Sequence, residues 1–313
     1  RAAPLLFAKN TDRWHPRVQV RILKVNGNQV GSGANYNVTS DATIKNNIIK
    51  LIDESWDNLR PYLVETRFHE DARFKATYIY PETACREALV NAIAHRDYSD
   101  EGRGIEIYIY NDRIEIKNPG GLLSSISVED IIELRGVHQS RNSYIARSLR
   151  EVGFMRELGE GMTRIFELMR SNELAPPEIR SDKNSFLLSL HHRTMYNKDE
   201  SLWLEQYELY KLSPEEKSLI LMGRDGSLIA PNEIIKHLGI VDIERYRQIL
   251  HSLQTKGILD TAITKEKAKR AASRSGTGIR DVKRFRIRSL SEISLRKNPR
   301  RTITRPTKEI KID

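Results

Sequence analysis

Apolar and polar residues alternate along positions 18–25, and the run stops at Asn26-Gly27-Asn28, the signature of a strand entering a turn. Between positions 44 and 63 the period changes: Ile48, Leu51, Ile52, Trp56 and Leu59 recur at the spacing of one helical face. A second helix is expected to start just after Pro81, a residue favoured in a first helical turn, and to run to about Arg96. A hairpin follows. Ile105, Ile107 and Ile109 alternate with Glu106, Tyr108 and Tyr110, Asn111-Asp112 makes the turn, and Ile114 and Ile116 alternate with Glu115 and Lys117. Positions 120–157 form a long connection with helices near 128–134 and 145–152. A helix over 162–169 begins directly after Gly159-Glu160-Gly161, and 186–190 reads as a closing strand. Strands bracketed by helices in this way predict an α+β or α/β sandwich with a largely one-faced sheet.

From 193 to 211 the apolar signal is irregular and reads as a connector. At Ser213-Pro214-Glu215-Glu216 a capping box opens a new unit. Helices are expected near 214–222, 231–237 and 242–255, the last two separated by the turn Gly239-Ile240-Val241, and a two-stranded wing follows. That order predicts a winged helix-turn-helix. On the third helix Ile243, Tyr246, Ile249, Leu250 and Leu253 form the buried face, and Arg245, Arg247 and Gln248 face outward. The partly alternating run 282–288 supplies Lys283, Arg284 and Arg286 to a basic wing.

Length and charge sharpen this picture. A chain of 313 residues suits two or three folded units. Its single cysteine, Cys85, lies on an apolar helix face, read as core packing, and rules out an internal disulfide framework, as in a reducing cytoplasm. No stretch approaches the roughly 20 apolar residues that span a bilayer, and no signal-peptide pattern is seen, so a cytoplasmic protein without membrane association is expected. The formal net charge is +10, yet positions 264–313 alone hold 17 Lys/Arg against 5 Asp/Glu. All the excess positive charge therefore sits at the C-terminal end. Such a tail is either a solvated end or an attractor of polyanions, and the helix-turn-helix before it favours nucleic acid, DNA ahead of RNA.

The residues with the strongest claim to chemistry lie on the helix after Pro81. Glu87, Asn91 and His95 recur every four residues as one polar stripe on an otherwise apolar helix. Such a stripe either faces solvent or serves a ligand, a metal or a hydrogen-bond network, because burying these groups unpartnered costs several kcal/mol. Downstream, Asn118-Pro119-Gly120-Gly121 ends the second hairpin strand, where glycine lets a backbone approach a ligand closely. Gly159-Glu160-Gly161-Met162 stands immediately before a helix, whose free N–H groups suit phosphate.

In order and spacing these segments resemble the N, G1 and G2 boxes of the GHKL (Bergerat-fold) ATPases, the superfamily of DNA gyrase and the histidine kinases. More narrowly, the runs from Arg86 to Tyr98 and from Asp112 to Leu122, with Arg141-Asn142, resemble RecG-related helicase-like proteins and transcriptional regulators. Those proteins carry an N-terminal Schlafen-type AlbA domain. Leu5-Leu6-Phe7 is similar to the segment following that domain, and the chain opens on Arg1 rather than Met, so a preceding portion is expected. The resemblance implies that ATP is held by Asn91, Asn118, Gly120, Gly121, Gly159, Gly161 and Met162. Asn91 would ligate Mg²⁺ through its amide oxygen, and Glu87 would orient or deprotonate the attacking water. Asn118 stands where an aspartate usually accepts from the adenine amino group, and Leu122 replaces the second glycine of the usual G1 pattern. Positions 121–157 would be the ATP lid. His95, Arg96 and Asp97 match the narrower family, in catalysis or in structural ion pairs. The helicase label carries no motor: the chain has no Gly-x-x-x-x-Gly-Lys-Ser/Thr loop. It also shows no phosphoacceptor helix of a histidine kinase.

The expected organisation is an α+β chain: a GHKL (Bergerat) α/β sandwich followed by a winged helix-turn-helix domain and a basic tail. Its parts are a connecting, transducer-like portion (1–80), an ATP-binding core (81–192), a connector (193–212), the winged helix (213–290) and the tail (291–313). Three functions compete: a nucleotide-switched DNA-binding regulator, an ATPase whose turnover drives DNA processing or antiphage defence, and a scaffold that has lost nucleotide and docks protein. GHKL proteins often dimerise, so the resemblance also allows a homo-oligomer.

Overall fold

The computed structural model describes residues 2–68, 74–133, 139–156, 159–238, 242–263, 265–276, 278, 282, 284–290 and 292–293. Two compact units divide the chain, Arg1–Met195 and Tyr196–Asp313.

The first unit opens with helix α1 (Ala2–Phe7), strands β1 (Gln19–Val25) and β2 (Val38–Lys45), and helix α2 (Ile48–Leu59). A separate hairpin, β3 (Val64–Phe68) and β4 (Phe74–Tyr78), precedes α3 (Glu82–His95), β5 (Ile105–Ile109) and β6 (Arg113–Pro119). Three helices, α4 (Val128–Ile132), α5 (Ser143–Glu151) and α6 (Gly161–Ser171), lead to β7 (Glu178–Ser181) and β8 (Ser185–His191). Six strands form one mostly antiparallel sheet in the order β2-β1-β5-β6-β8-β7, with only β1 and β5 parallel. The pleat makes the sheet two-faced. Ile22, Ile107, Ile116 and Leu188 stand opposite one another across four strands and are all buried. Arg21, Glu106, Lys117, Leu187 and Arg180 form the next row, on the opposite face. The apolar face packs against α2, α3, α5 and α6, where Ile48, Leu51, Ile52, Leu89, Ile93, Leu149, Ile165 and Met169 join one core. Burying each such side chain contributes about 1.5–3 kcal/mol. The result is an α+β fold of the α/β-sandwich kind.

Some boundaries differ from the sequence expectation for identifiable reasons. The helix expected over 44–63 starts at Ile48, because the side chain of Asn47 caps it by accepting from the Lys50 N–H at 3.1 Å. Ile44 belongs to β2, and Pro61 tightens the far end into a 3₁₀ turn over Arg60–Leu63. The hairpin loop takes in Tyr110 as well as Asn111-Asp112, closed by the Tyr110 N–H donating to the Arg113 carbonyl at 2.9 Å. Cys85 is buried, and burial pushes its thiol up to about 12, which fits packing rather than reactivity.

The second unit contains α7 (Lys198–Glu205), α8 (Pro214–Met222), α9 (Pro231–Leu238) and α10 (Ile243–Thr255). Next come β9 (Leu259–Thr261), α11 (Lys265–Ser275) and β10 (Phe285–Ile287), the two strands pairing antiparallel. Tyr207, Leu219, Ile220, Ile234, Leu253, Ile258 and Phe285 are the centre of its core. The capping box at Ser213 is formed with Glu216, whose buried carboxylate also accepts from Lys256. Ile243 departs from the expected buried face of α10: it is 40% exposed, since the first turn of the helix projects past the core that holds Ile249, Leu250 and Leu253. The turn 239–241, Lys283 and nearly all of 291–313 lie outside the described residues.

Candidate functional site

Helix α3 is the spine of the site. Its apolar positions Ala84, Ala88, Leu89, Ala92 and Ile93 are buried in the core, while Glu87 and Asn91 stay half-buried one turn apart. The start of α6 comes down on this pair. A β-carbon on Gly161 would stand 2.5 Å from Asn91 Nδ2 and 2.8 Å from Glu87 Oε1, so glycine lets α6 come this close with both side chains where they are. Glu160 offers α6 no side-chain cap, so the first-turn N–H groups have no capping side chain beside the Glu87–Asn91 stripe. Burial lifts Glu87 above the ordinary carboxylate range, against the opposing pull of Arg164 and Arg156. A carboxylate so placed is the more ready to take a proton.

Strand β6 brings the second wall. Asn118 is 4% exposed, and its Nδ2 donates to the Ala92 carbonyl at 2.9 Å, which fixes the orientation of the amide. Its Oδ1 is buried without a partner. Gly120 follows with φ +91°, and a β-carbon there would meet Asp97 Cβ at 2.6 Å. On Gly121 a β-carbon would overlap the Asp182 carbonyl oxygen. Both glycines are therefore required by the crowding of backbone around the end of β6.

Asn91, Asn118, Gly120, Gly121, Gly159, Gly161 and Met162 line one cavity of about 150 Å³; Glu87 is not in its lining, but its Oε1 lies beside Gly161. Ala88, Ala92, Ile116, Leu122, Phe186 and Leu188 make its walls largely apolar. Few polar groups in an apolar cleft are the usual make-up of a small-molecule site. Among the described residues no group of three or more His, Cys, Asp or Glu could hold a metal ion. A cation here would accordingly have to draw most of its ligands from something other than side chains of those types, as Mg²⁺ does when it travels with phosphates.

Residues that the sequence left open now have places. Arg141 Nη2 donates to the Gly121 carbonyl at 2.7 Å, and its Nη1 lies 3.4 Å from Asp97 Oδ2. Asn142 Nδ2 donates to the carbonyls of Ala94 at 2.9 Å and Arg96 at 2.7 Å, capping the C-terminus of α3. Arg96 is 1% exposed, donates to the Asp100 carbonyl at 2.8 Å and lies 5.0 Å from the Tyr98 ring. Beside it, His15 Nδ1 accepts from the Arg17 N–H, so Nε2 carries the proton and donates to the Tyr98 carbonyl at 3.1 Å. Arg96 and Asp97 thus staple the loop after α3, while His95 lines the cavity. Burial first, then Arg141, lowers the His95 pKa.

In the second unit Arg245, Arg247 and Gln248 are exposed on α10. Arg245 is ion-paired with Glu215 at 2.7 Å and Arg247 with Glu244 at 2.5 Å. Arg284 precedes β10, and Arg286 within it pairs with Glu292 at 3.1 Å. The Glu244–Arg247 pair has the i, i+3 spacing of a helical ion pair, whereas Arg245 and Glu215 are 30 positions apart and meet only through the fold.

With this geometry in view, the comparisons with known proteins are specific in one region. The family model HATPase_c_4, described as "Putative ATP-dependent DNA helicase recG C-terminal", matches residues 102–190. That span holds β5, β6, both glycine segments and all but the last residue of β8, and leaves out Glu87 and Asn91 on α3. The crystal structure of the DIP2311 protein from Corynebacterium diphtheriae superimposes with a TM-score of 0.54 at 18% identity, covering 80% of this chain. It covers 49% of that chain, so the present chain spans about half of its length, and the likeness speaks for the fold alone. No curated protein matches. The family match supports a GHKL-like ATPase family and, with it, nucleotide binding.

Proposed function

We propose that the first unit binds ATP with Mg²⁺ and that the second binds DNA as a winged helix-turn-helix, the nucleotide state governing DNA binding in a regulator or defence factor of the cytoplasm. The observation that carries the nucleotide half is Asn118 Oδ1, a buried acceptor without a partner. With Nδ2 committed to Ala92, only a donor satisfies this oxygen, and the exocyclic amine of adenine is one. The apolar walls suit the base, and the N–H groups at the start of α6 suit phosphate. Asn91 would hold Mg²⁺ through its amide oxygen, the ion neutralising phosphate charge. Glu87, raised by burial, would hold the attacking water and accept its proton.

The DNA half draws support from three helices followed by a two-stranded ribbon, and from the basic C-terminal end. The ion pairs of Arg245 and Arg247 favour a second reading, in which the second unit docks a protein. Calorimetric titration of the chain with ATP, with and without Mg²⁺, tests the first half. Binding should require Mg²⁺, and Asn91→Ala should weaken it and abolish the Mg²⁺ dependence while the fold persists. Absence of heat up to millimolar ATP would leave the scaffold reading standing.

A further inference from the structure

We infer that α11, the helix between the two strands of the C-terminal ribbon, is the main nucleic-acid contact of the second unit, gripping the phosphates of a duplex through Lys269, Arg270 and Arg274. The inference rests on the DNA-binding reading above and moves the contact away from α10.

The contrast between the two helices is one of unspent charge. On α10 the outward arginines already have carboxylate partners, Arg245 with Glu215 and Arg247 with Glu244. The ribbon's Arg286 and Arg288 are paired as well, with Glu292 and with Asp260. The paired carboxylate cancels the local positive charge, so such an arginine attracts a phosphate less than an unpaired one does. On α11, by comparison, Lys269, Arg270 and Arg274 are exposed and have no ion-pair partner among the described residues. The helix carries a single acid, Glu266.

Placement reinforces charge. Ala272 is 5% exposed, so that side of the helix faces the protein. At 100° per residue, Arg270 and Arg274 lie roughly opposite Ala272, and Lys269 lies on the flank about 60° from it. The stripe these three form from 269 to 274 is about 7.5 Å long at 1.5 Å per residue. One strand of a duplex presents a phosphate about every 3.4 Å of axis, so the stripe matches about three. A membrane surface is the poorer occupant: an interfacial helix needs Trp, Phe or Leu on its apolar face, and the sequence of α11 contains none of them.

Fluorescence anisotropy of a labelled random DNA duplex with the full chain, between 50 and 200 mM salt, tests the assignment. The combined change Lys269→Ala, Arg270→Ala and Arg274→Ala should weaken binding to every duplex and flatten the log–log salt slope by about 2–3, at about 0.9 per lost phosphate contact. Arg270→Lys with Arg274→Lys, which preserves charge and helix, should keep the slope. The pair Arg245→Ala and Arg247→Ala should change it by less than one contact. If the wild-type chain binds no duplex at low salt, the DNA reading itself fails. If it binds and the α11 triple variant keeps its affinity and slope, only the assignment to α11 is overturned. Binding to vesicles containing phosphatidylserine in preference to duplex would also overturn it.

Discussion

Asn118→Leu separates stability from nucleotide recognition. Leucine keeps the heavy-atom count and branching while replacing both amide atoms with somewhat bulkier methyl groups. Leaving the Ala92 carbonyl without this donor costs about 1–3 kcal/mol, and removal of the unpartnered buried oxygen relieves about as much. Without nucleotide the variant should therefore be about as stable as the wild type. With nucleotide the two diverge. An adenine amine deprived of its acceptor should weaken affinity roughly 30-fold, about 2 kcal/mol at 1.4 kcal/mol per decade. At an ATP concentration 100 times the wild-type Kd, ligand stabilisation is about 2.7 kcal/mol, and it falls to about 0.9 kcal/mol in the variant. For the 195 residues of Arg1–Met195 that difference corresponds to about 4–7 °C in Tm. Thermal melts followed by circular dichroism, with and without Mg²⁺ and ATP, read both quantities. An ATP-induced shift of wild-type size in the variant, or an equal loss of Tm in both conditions, would refute the role given to Asn118.

Glu87→Ala should lower any ATP turnover by roughly a hundredfold, the smaller end of what a general base contributes, with ATP affinity retained; a coupled phosphate-release assay beside calorimetry measures both. Gly161→Val sets a β-carbon 2.5 Å from Asn91 Nδ2 and 2.8 Å from Glu87 Oε1, so either these two side chains or α6 must shift. ATP affinity should then fall at least tenfold and stability by about 1–3 kcal/mol, whereas wild-type binding would show that α6 has no part in the site. Burial lowers the pKa of both His15 and His95 below 6.5 in the folded chain. Because the unfolded chain then binds more protons, stability should be full above about pH 7 and fall as pH drops below 6.5. Each histidine contributes at most about 1.4 kcal/mol per pH unit. Urea titrations between pH 5 and 8 should show this slope, reduced in His15→Gln; a flat profile would mean that neither histidine is held neutral.

The parts of the fold that the sequence revealed are those whose burial is one-sided and regular. Helix α3 and the β5–β6 pair announce themselves because each polar position is separated from the core by a fixed period. Strand β2 does not: of its eight residues only Ile44 is buried, and Ile44 falls into helical spacing with Ile48 and Leu51. The four-residue edge strand β7 and the alanine- and lysine-built α11 lack an apolar rhythm altogether. At the site, the residue types were readable but their commitments were not. Which amide atom of Asn118 is spent depends on a carbonyl 26 positions away, and the capping role of Asn142 on carbonyls 46 and 48 positions away. Such pairings exist only once the sheet and α3 have met.

The bond from Arg141 to the Gly121 carbonyl draws together the two ends of the chain segment between them, and Asn142 ties that closure to α3. Part of that stretch belongs to the site, since Leu122, Ile126 and Ile131 line the same cavity, so the closure holds a wall of the pocket in place. Closure entropy grows so slowly with length that doubling such a loop costs only about 0.6 kcal/mol. Length alone would therefore be cheap to change, and what constrains the segment is the packing of Ile131 in the core and of Leu122 and Ile126 against the cavity.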